Sequence, residues 1–173
     1  MANVKSFKNH YPKIHNAAWI ADDAIIAGQV SIGALSSVFY KTVIRGDVNK
    51  IVIGERTNIQ DHSMVHGSYN GKDTIIGDDI TIGHRAIIHG CEIQSNSLIG
   101  MGAIILDNAI IEEHVIVGAG SLVTMGKVLK SGYLYMGSPA RQVKALDAKM
   151  IEYYILRSAA GYVDVSQAYK LGK

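Results

Sequence analysis

The chain has little cysteine, proline or aromatic content. Among its 173 residues there are one cysteine and two prolines, and only 7% are aromatic although 48% are hydrophobic. The single Cys91 excludes an intramolecular disulfide framework and fits a reducing compartment, so a cytoplasmic protein is expected. No segment approaches the roughly 20 apolar residues of a membrane span. The polar N-terminal stretch also contains no apolar run of signal-peptide length.

The charge of the chain also shows no strong bias. Lysine and arginine total 17, aspartate and glutamate total 15, and the formal net charge is +2. This balance favours neither a nucleic acid nor an anionic membrane as a partner. The length predicts a single domain over residues 1–173.

Isoleucine or valine returns every six residues through most of the chain. A period of six fits neither the 3.6-residue helix nor simple two-residue alternation. It predicts an all-β solenoid over residues 14–124, in which each unit forms one side and a turn, and three units complete a coil. A β-sandwich would need more aromatic residues and irregular turn spacing. The longest uninterrupted series is Ile93, Ile99, Ile105, Ile111, Val117 and Val123.

Residues 138–173 are predicted to form a helical segment that packs on the solenoid. Ser138 suits an N-cap and Pro139 suits the first helical position. Gly161 is predicted to end this helix, before a short second one. The three- and four-residue spacing of apolar residues indicates an amphipathic helix. This spacing is seen at Val143, Leu146, Met150, Tyr153 and Tyr154.

Three histidines fall on the edges of successive coils. His66 and His89 each follow an inward residue of the same side by one position. Because stacked coils are about 4.8 Å apart, both can share one ligand. His84 follows an inward residue of another side by two positions, as Asp61 does one coil earlier. A lone histidine on such an edge is more often a surface residue, but two in vertical register with a third nearby favour a metal site.

The third histidine can complete such a site only from another copy of the chain. Imidazole–zinc bonds are about 2.0–2.1 Å long, so one rigid prism cannot bring two of its edges to one ion. A neighbouring copy related by rotation can, and three such contacts close a cyclic homotrimer. We therefore expect a zinc site formed by His66, His84 and His89 between subunits. Three neutral imidazoles leave a fourth position open, as in catalytic zinc sites.

Polar residues flank the predicted site. Arg45 lies in the column of His66, and Asp61 lies on the opposite edge, so the two would face each other across the interface. Their ion pair would either organise the site or only clamp the trimer. Gln60 would orient a water molecule, and Asp47 would support Arg45 or line the site.

These motifs closely resemble the γ-class carbonic anhydrase family over nearly the whole chain. The resemblance implies a left-handed parallel β-helix and a homotrimer with zinc, or iron or cobalt, at subunit interfaces. The reaction it implies is reversible hydration of CO2 to bicarbonate. The residues that carry it are Arg45-Gly46-Asp47, Thr57-Asn58-Ile59-Gln60-Asp61, His66, Ile82-Gly83-His84 and His89-Gly90-Cys91.

The family pattern also assigns residue roles. Its metal ligands correspond to His66, His84 and His89. It gives supporting roles to Arg45, Asp47, Gln60 and Asp61. Tyr162 resembles a tyrosine that related chains bring near the active site.

The chain departs from the archetypal member at two places that affect activity. That member has an acidic residue directly after the Arg-Gly-Asp turn and an acidic loop that carries protons, whereas here Val48 follows the turn and the short loop has only Asp73 as an acid. The chain instead resembles shorter bacterial and archaeal relatives. Two alternatives therefore stay open. One is a hexapeptide-repeat acyltransferase that uses acyl-coenzyme A, and the other is a metal-binding thioesterase or scaffold with little CO2 hydration activity.

Overall fold

The computed structural model describes residues 3–69 and 71–172. It shows a parallel β-solenoid of about seven coils followed by a helix, consistent with a left-handed β-helix of hexapeptide repeats. In chain order the strands are β1 (Asn3–Lys5), β2 (Lys13–Ile14), β3 (Trp19–Ile20), β4 (Ile25–Ile32), β5 (Ser37–Val38), β6 (Val43–Ile53), β7 (Asn58–Ile59), β8 (Met64–His66), β9 (Thr74–Ile76), β10 (Thr81–Ile82), β11 (Ile87–His89), β12 (Glu92–Ile93), β13 (Leu98–Ile99), β14 (Ile104–Ile105), β15 (Ile110–Ile111), β16 (Ile116–Val117), β17 (Leu122–Val123), β18 (Val128–Leu129), β19 (Tyr133–Gly137) and β20 (Ala140–Ala145).

The strands stack into three parallel faces. The first face contains β1, β8, β11, β14 and β17 together with the first halves of β4 and β6. The second contains β2, β9, β12, β15 and β18 together with the second halves of β4 and β6. The third runs from β3 through β5, β7, β10, β13 and β16 to β19. The long strands β4 and β6 therefore pass through the corner between the first and second faces.

The inward-pointing branched residues form one continuous core. Ile44, Val65 and Ile88 on the first face are fully buried, as are Ile59 and Ile82 on the third. Full burial of such a side chain contributes about 1.5–3 kcal/mol. The six-residue period therefore arises because each unit places one aliphatic side chain in this column, which confirms the predicted solenoid.

The coils turn their corners through residues with left-handed backbone conformation. Arg85 has a φ of 59°, His62 of 61° and His114 of 56°. Backbone hydrogen bonds join these turns to the preceding coil, as where the Arg85 N–H donates to the Asp61 carbonyl over 2.9 Å. His62 and His114 are thus turn residues.

The solenoid extends beyond both predicted limits. It begins with β1 at Asn3 and continues past residue 124 through β18 and β19. The stretch Gly137-Ser138-Pro139-Ala140 joins β19 to the antiparallel strand β20, and its Ser138–Pro139 peptide is cis. Ser138 is therefore not a helix N-cap, and Pro139 does not open a helix.

The prediction of a helix directly after Pro139 was wrong for residues 140–147. Pairing with β19 holds Ala140–Ala145 in a strand, and this non-local contact overrides the local three- and four-residue spacing. The helix begins at Ala148, where the Asp147 side chain accepts a hydrogen bond of 2.8 Å from the Met150 N–H. Such a carboxylate cap is a common helix start.

The C-terminal helix continues without a break to Leu171. It is α-helical over Ala148–Met150, a π-helix over Ile151–Leu156 and α-helical over Arg157–Leu171. Gly161, which was predicted to end it, lies inside the last segment, so no separate second helix forms.

Aromatic rings attach the C-terminal helix to the third face near its first two strands, β3 and β5. Tyr169 stacks on Trp19 with ring centroids 4.8 Å apart, and Tyr162 meets Phe39 edge-on at 5.4 Å. These ring contacts hold the C-terminal helix against one side of the solenoid. None of the helices described here is long and apolar enough to cross a bilayer.

Candidate metal centre

His66 and His89 form a pair at the corner between the first and second faces. They are direct partners in the parallel pairing of β8 with β11, as the repeat predicted. His66 Nδ1 lies 3.3 Å from His89 Nε2. Two nitrogens bound to one tetrahedral zinc at about 2.0–2.1 Å would be about 3.3–3.4 Å apart. The spacing of the pair therefore fits a shared metal ion.

Carboxylates fix the tautomers of both imidazoles. Asp47 Oδ1 lies 2.9 Å from His66 Nε2, and Asp107 Oδ1 lies 2.9 Å from His89 Nδ1. An ionised carboxylate only accepts hydrogen bonds, so each of these two nitrogens carries a proton. In neutral imidazoles with these tautomers, the remaining nitrogens, His66 Nδ1 and His89 Nε2, carry lone pairs that face each other. Two converging lone pairs are a donor set for a cation.

Asp47 also holds Arg45. Its other carboxylate oxygen forms an ion pair with Arg45 Nη1. Burial raises the pKa of the Asp47 carboxyl, but hydrogen bonds from His66 and Arg45 outweigh this effect and hold the pKa below its usual range. Asp47 therefore stays ionised at neutral pH and links Arg45 to the histidine pair.

Asp107 has the equivalent relation to His89. Its Oδ1 also accepts a hydrogen bond of 2.6 Å from Ser68 Oγ. Burial raises the pKa of the Asp107 carboxyl, but the hydrogen bonds from Ser68 and His89 outweigh this effect and leave the pKa lowered. The sequence reading missed both Asp107 and Ser68. A signal was present, because Asp107 follows the inward Ile105 by two positions and so falls opposite Gly90 in the preceding coil.

His84 lies at another corner, between the third and first faces. Its Nδ1 is 2.8 Å from Asp61 Oδ2, and its side chain is 43% exposed. This contact places Nδ1 beside the carboxylate, so Nε2 is the ring nitrogen directed away from Asp61. Within the described part of one chain, no group of three or more His, Cys, Asp or Glu residues gathers as a metal site. The structure thus brings two of the three predicted ligands together and places the third on a separate corner.

Two further candidate residues, Gln60 and Tyr162, line a pocket beside His84. The pocket has a volume of about 410 Å³ and lies between the third face and the C-terminal helix, with Gln60, Met101 and Tyr162 among its lining residues. Burial raises the pKa of Tyr162, and the charge of Asp61 raises it further, while a hydrogen bond with Gln60 acts in the opposite direction. The phenol is therefore protonated at neutral pH.

Gln60 is held in a polar chain under the pocket. It is buried, and its Nε2 donates a hydrogen bond of 3.1 Å to Asn58 Oδ1. Asn58 Nδ2 in turn donates to Thr81 Oγ1 over 2.9 Å. These bonds fix the orientation of the Gln60 amide at the wall of the pocket.

Another prediction can be compared with this geometry. Arg45 pairs with Asp47 and Asp61 pairs with His84 in a single chain, so an Arg45–Asp61 contact across an interface stays a prediction. Separately, Cys91 packs inward at 2% exposure, and burial raises the pKa of its thiol to about 12.

Known proteins with similar sequences and structures identify the family. A family model described as bacterial transferase hexapeptide (six repeats) matches residues 90–124. The chain is 45% identical over 170 residues to a carbonic anhydrase of Geobacillus kaustophilus, covering 96% of this chain and 91% of that protein. It is 42% identical over 163 residues to the mitochondrial gamma carbonic anhydrase 1 of Arabidopsis thaliana, covering 91% of this chain and 59% of that one.

A solved structure agrees with this relationship. The hexapeptide transferase family protein from Anaplasma phagocytophilum is 42% identical and superposes with a TM-score of 0.92 over 96% of this chain and 98% of that one. The chain belongs to the γ-class carbonic anhydrase family of hexapeptide-repeat proteins. It spans about three fifths of the length of the two Arabidopsis gamma carbonic anhydrases that it matches, 59% of one and 58% of the other.

Proposed function

We propose that this protein is a metal-dependent carbonic anhydrase that reversibly hydrates CO2 to bicarbonate at sites shared between the subunits of a homotrimer. The observation that carries the proposal is the convergence of His66 Nδ1 and His89 Nε2 at 3.3 Å, with each imidazole held by a carboxylate. The names of the relatives support the same activity. A reducing location such as the cytoplasm suits the free Cys91.

The metal would be held by His66 and His89 of one chain and by His84 of its neighbour. Each imidazole has one nitrogen beside the carboxylate of Asp47, Asp107 or Asp61, which would leave the other nitrogen for the ion. Three neutral nitrogen donors suit zinc, and they also suit iron(II) or cobalt(II). When bound in such a site, zinc makes hydroxide available near neutral pH by lowering the pKa of water to about 7.

The surface beside the histidine pair supports a contact between copies. On the first face, the outward residue next to each inward one is apolar in six successive coils. The second face is mixed at the equivalent positions and includes Lys13, Ser31 and Glu92. A contiguous apolar strip on an exposed face indicates a protein interface, and a rotational contact would bring the neighbour's His84 corner next to it. The residues of the strip are Ile25, Val43, Met64, Ile87, Ile104 and Leu122.

The pocket beside His84 supplies the surroundings that CO2 hydration needs. Its apolar walls, which include Leu98 and Ile116, would receive the uncharged substrate and limit competing water. The fixed Gln60 amide and the protonated Tyr162 hydroxyl would orient the reacting water and the bicarbonate oxygens by hydrogen bonds. Arg45 would act through Asp47, holding the His66 ring in place.

Stopped-flow measurement of CO2 hydration by the zinc-loaded trimer tests the proposal. We expect a rate well above that of buffer, and a loss of at least about 100-fold in kcat/KM for His66→Ala. His114→Asn is the matched control. It removes a histidine at a turn with a φ of 56°, which asparagine tolerates, and it should leave the rate unchanged. A zinc-loaded trimer no faster than buffer would refute the proposal.

Acyl transfer is the second candidate. The observation in its favour is the pocket of about 410 Å³, which is much larger than CO2 and lies next to His84. A related protein of known structure is also named as a hexapeptide transferase family protein. Calorimetric titration of metal-free protein with coenzyme A separates the two functions. The carbonic anhydrase proposal predicts no saturable binding, whereas tight 1:1 binding per chain would favour acyl transfer.

A further inference from the structure

We propose that Asp107 is a positioning residue that sets the metal affinity of the centre through His89. The inference rests on the proposed function, since it takes His89 as a metal ligand. Asp107 itself would not touch the ion or the substrate. Its role would be to fix which nitrogen of His89 faces His66, and in which direction the lone pair points.

The hydrogen bonds of Asp107 specify one imidazole state. Oδ1 accepts from His89 Nδ1 over 2.9 Å and from Ser68 Oγ over 2.6 Å. The side chains of Asp107 and His89 are 15% and 28% exposed, so water only partly competes for these bonds. With Nδ1 protonated, the lone pair is on Nε2, which is the atom 3.3 Å from His66 Nδ1. Rotating the ring by 180° about χ2 would break this bond and withdraw Nε2 from His66.

The backbone makes room for this arrangement at Gly90. A Cβ on Gly90 would lie 2.1 Å from Asp107 Oδ1, well inside the contact distance of the two atoms. The coil below is fixed at the same point, because the Asn108 N–H donates to the Gly90 carbonyl over 2.7 Å. Asp107 therefore occupies a space that exists only because residue 90 is glycine.

Ser68 connects Asp107 to the loop that interrupts the repeat after His66. Asn49 Nδ2 donates to the carbonyl of Ser68 over 2.7 Å and to that of Gly71 over 2.9 Å. The loop is thereby held so that the Ser68 hydroxyl points at Asp107. This interruption of the repeat thus supports His89 indirectly, because its Ser68 hydroxyl holds the Asp107 carboxylate that accepts from His89.

The expected effect is on affinity. Loss of a carboxylate that orients a ligating histidine typically lowers metal affinity 10–100-fold. Asp107→Asn keeps the shape and removes the charge, so it should reduce zinc affinity by about that factor. Ser68→Ala removes only the support of Asp107 and should reduce it less, by about 2–5-fold. Asp79→Asn is the matched control, since Asp79 pairs with Arg56 and contacts no histidine.

The experiment is competition for zinc between each purified trimer and a chromophoric chelator, with the visible spectrum of the cobalt-loaded protein as a second readout. The proposal is supported if zinc affinity is equal in wild type and Asp79→Asn, lower in Ser68→Ala and lowest in Asp107→Asn. The cobalt spectrum of Asp107→Asn should also differ from that of wild type. Equal affinities of wild type and Asp107→Asn, within about twofold, would overturn the proposal. If Asp107→Asn fails to fold, the zinc affinities of Ser68→Ala and Asp79→Asn are compared instead. Equal affinities of these two variants would also overturn the proposal.

These outcomes are distinct from failure of the proposed function. If the wild-type trimer binds no zinc or cobalt, both proposals fall, and the wild-type titration alone shows it. If wild type binds metal without hydrating CO2, only the proposed activity falls, because the affinity order of the variants does not depend on turnover.

Discussion

Replacing Gly90 by alanine tests how the histidine pair is held. The new Cβ would lie 2.1 Å from Asp107 Oδ1, so the carboxylate must rotate away. That motion breaks the hydrogen bonds to His89 and Ser68. Hydrogen bonds to charged groups contribute about 1.5–3 kcal/mol each, and partial rehydration of the freed carboxylate lowers the sum to roughly 2–4 kcal/mol. Gly90 also has a φ of 54°, where a Cβ costs roughly 1–2 kcal/mol.

Gly102→Ala is the matched control for this prediction. Gly102 also lies at a turn, with a φ of 67°, but a Cβ there would meet nothing within 4 Å. Gly102→Ala should therefore lower the free energy of unfolding only by the roughly 1–2 kcal/mol that a Cβ costs in this backbone conformation. We predict that Gly90→Ala is destabilised by about 2–4 kcal/mol more than Gly102→Ala, and that only Gly90→Ala loses zinc affinity.

Urea denaturation of metal-free protein, followed by circular dichroism at one fixed trimer concentration, measures the difference. Equal stabilities of the two variants within about 0.5 kcal/mol would refute the reasoning. Such a result would mean that Asp107 makes no net contribution through His89 and Ser68.

Three further predictions concern other parts of the chain. Burial raises the pKa of Cys91 to about 12, so a thiol reagent at pH 8 should label it only after denaturation, and stoichiometric labelling of native protein would contradict this. Tyr169→Ala removes the ring stacked 4.8 Å from Trp19, and should cost about 0.5–1.5 kcal/mol beyond lost area and speed proteolysis of the C-terminal helix. An unchanged cleavage rate would show that other contacts hold that helix. Because the pKa values of Asp47 and Asp107 are lowered in the folded chain, their ionised forms stabilise it above about pH 4, and this contribution is lost as the pH falls through the folded-state values. The urea midpoint of Asp47→Asn should therefore fall less steeply with decreasing pH below pH 5 than that of wild type. An equal pH dependence of the two midpoints would contradict the lowered pKa of Asp47.

The solenoid and the register of its histidines could be predicted because both follow from a local period. Every sixth residue enters the core, so counting from Val65 to Ile88 across the interrupting loop is enough to align His66 with His89. The same count places His84 opposite Asp61, and the structure shows that pair at 2.8 Å. No information beyond the spacing of aliphatic residues was needed.

The end of the chain could not be predicted in the same way. Residues 140–147 have no helix-breaking residue, and their apolar spacing is as compatible with a helix as with the observed strand β20. Pairing with β19 decides between them, and that contact is visible only once the last coil is in place. Gly161 illustrates the converse, because packing keeps the C-terminal helix intact across a residue that usually weakens helices.

The site was only partly predictable for a related reason. Histidines are rare enough for their register to stand out, whereas acids are common at turns, and the position of Asp107 opposite Gly90 is a weaker signal. Its role depends on the absent side chain at Gly90 and on Ser68 in a loop outside the repeat. Contacts of this kind need three-dimensional coordinates, because the register aligns Asp107 with Gly90 without showing the contact, and Ser68 lies outside the six-residue period.

The central claim is that one chain supplies His66 and His89 while its neighbour supplies His84. Co-expression of His66→Ala and His84→Ala chains with different affinity tags, and purification through both tags, gives mixed trimers. In a cyclic trimer only one of the three interfaces then combines an intact pair with an intact His84. We predict about one zinc per mixed trimer, about three per wild-type trimer and little in either variant alone. Mixed trimers without zinc, or a His84→Ala trimer with full zinc, would contradict the account.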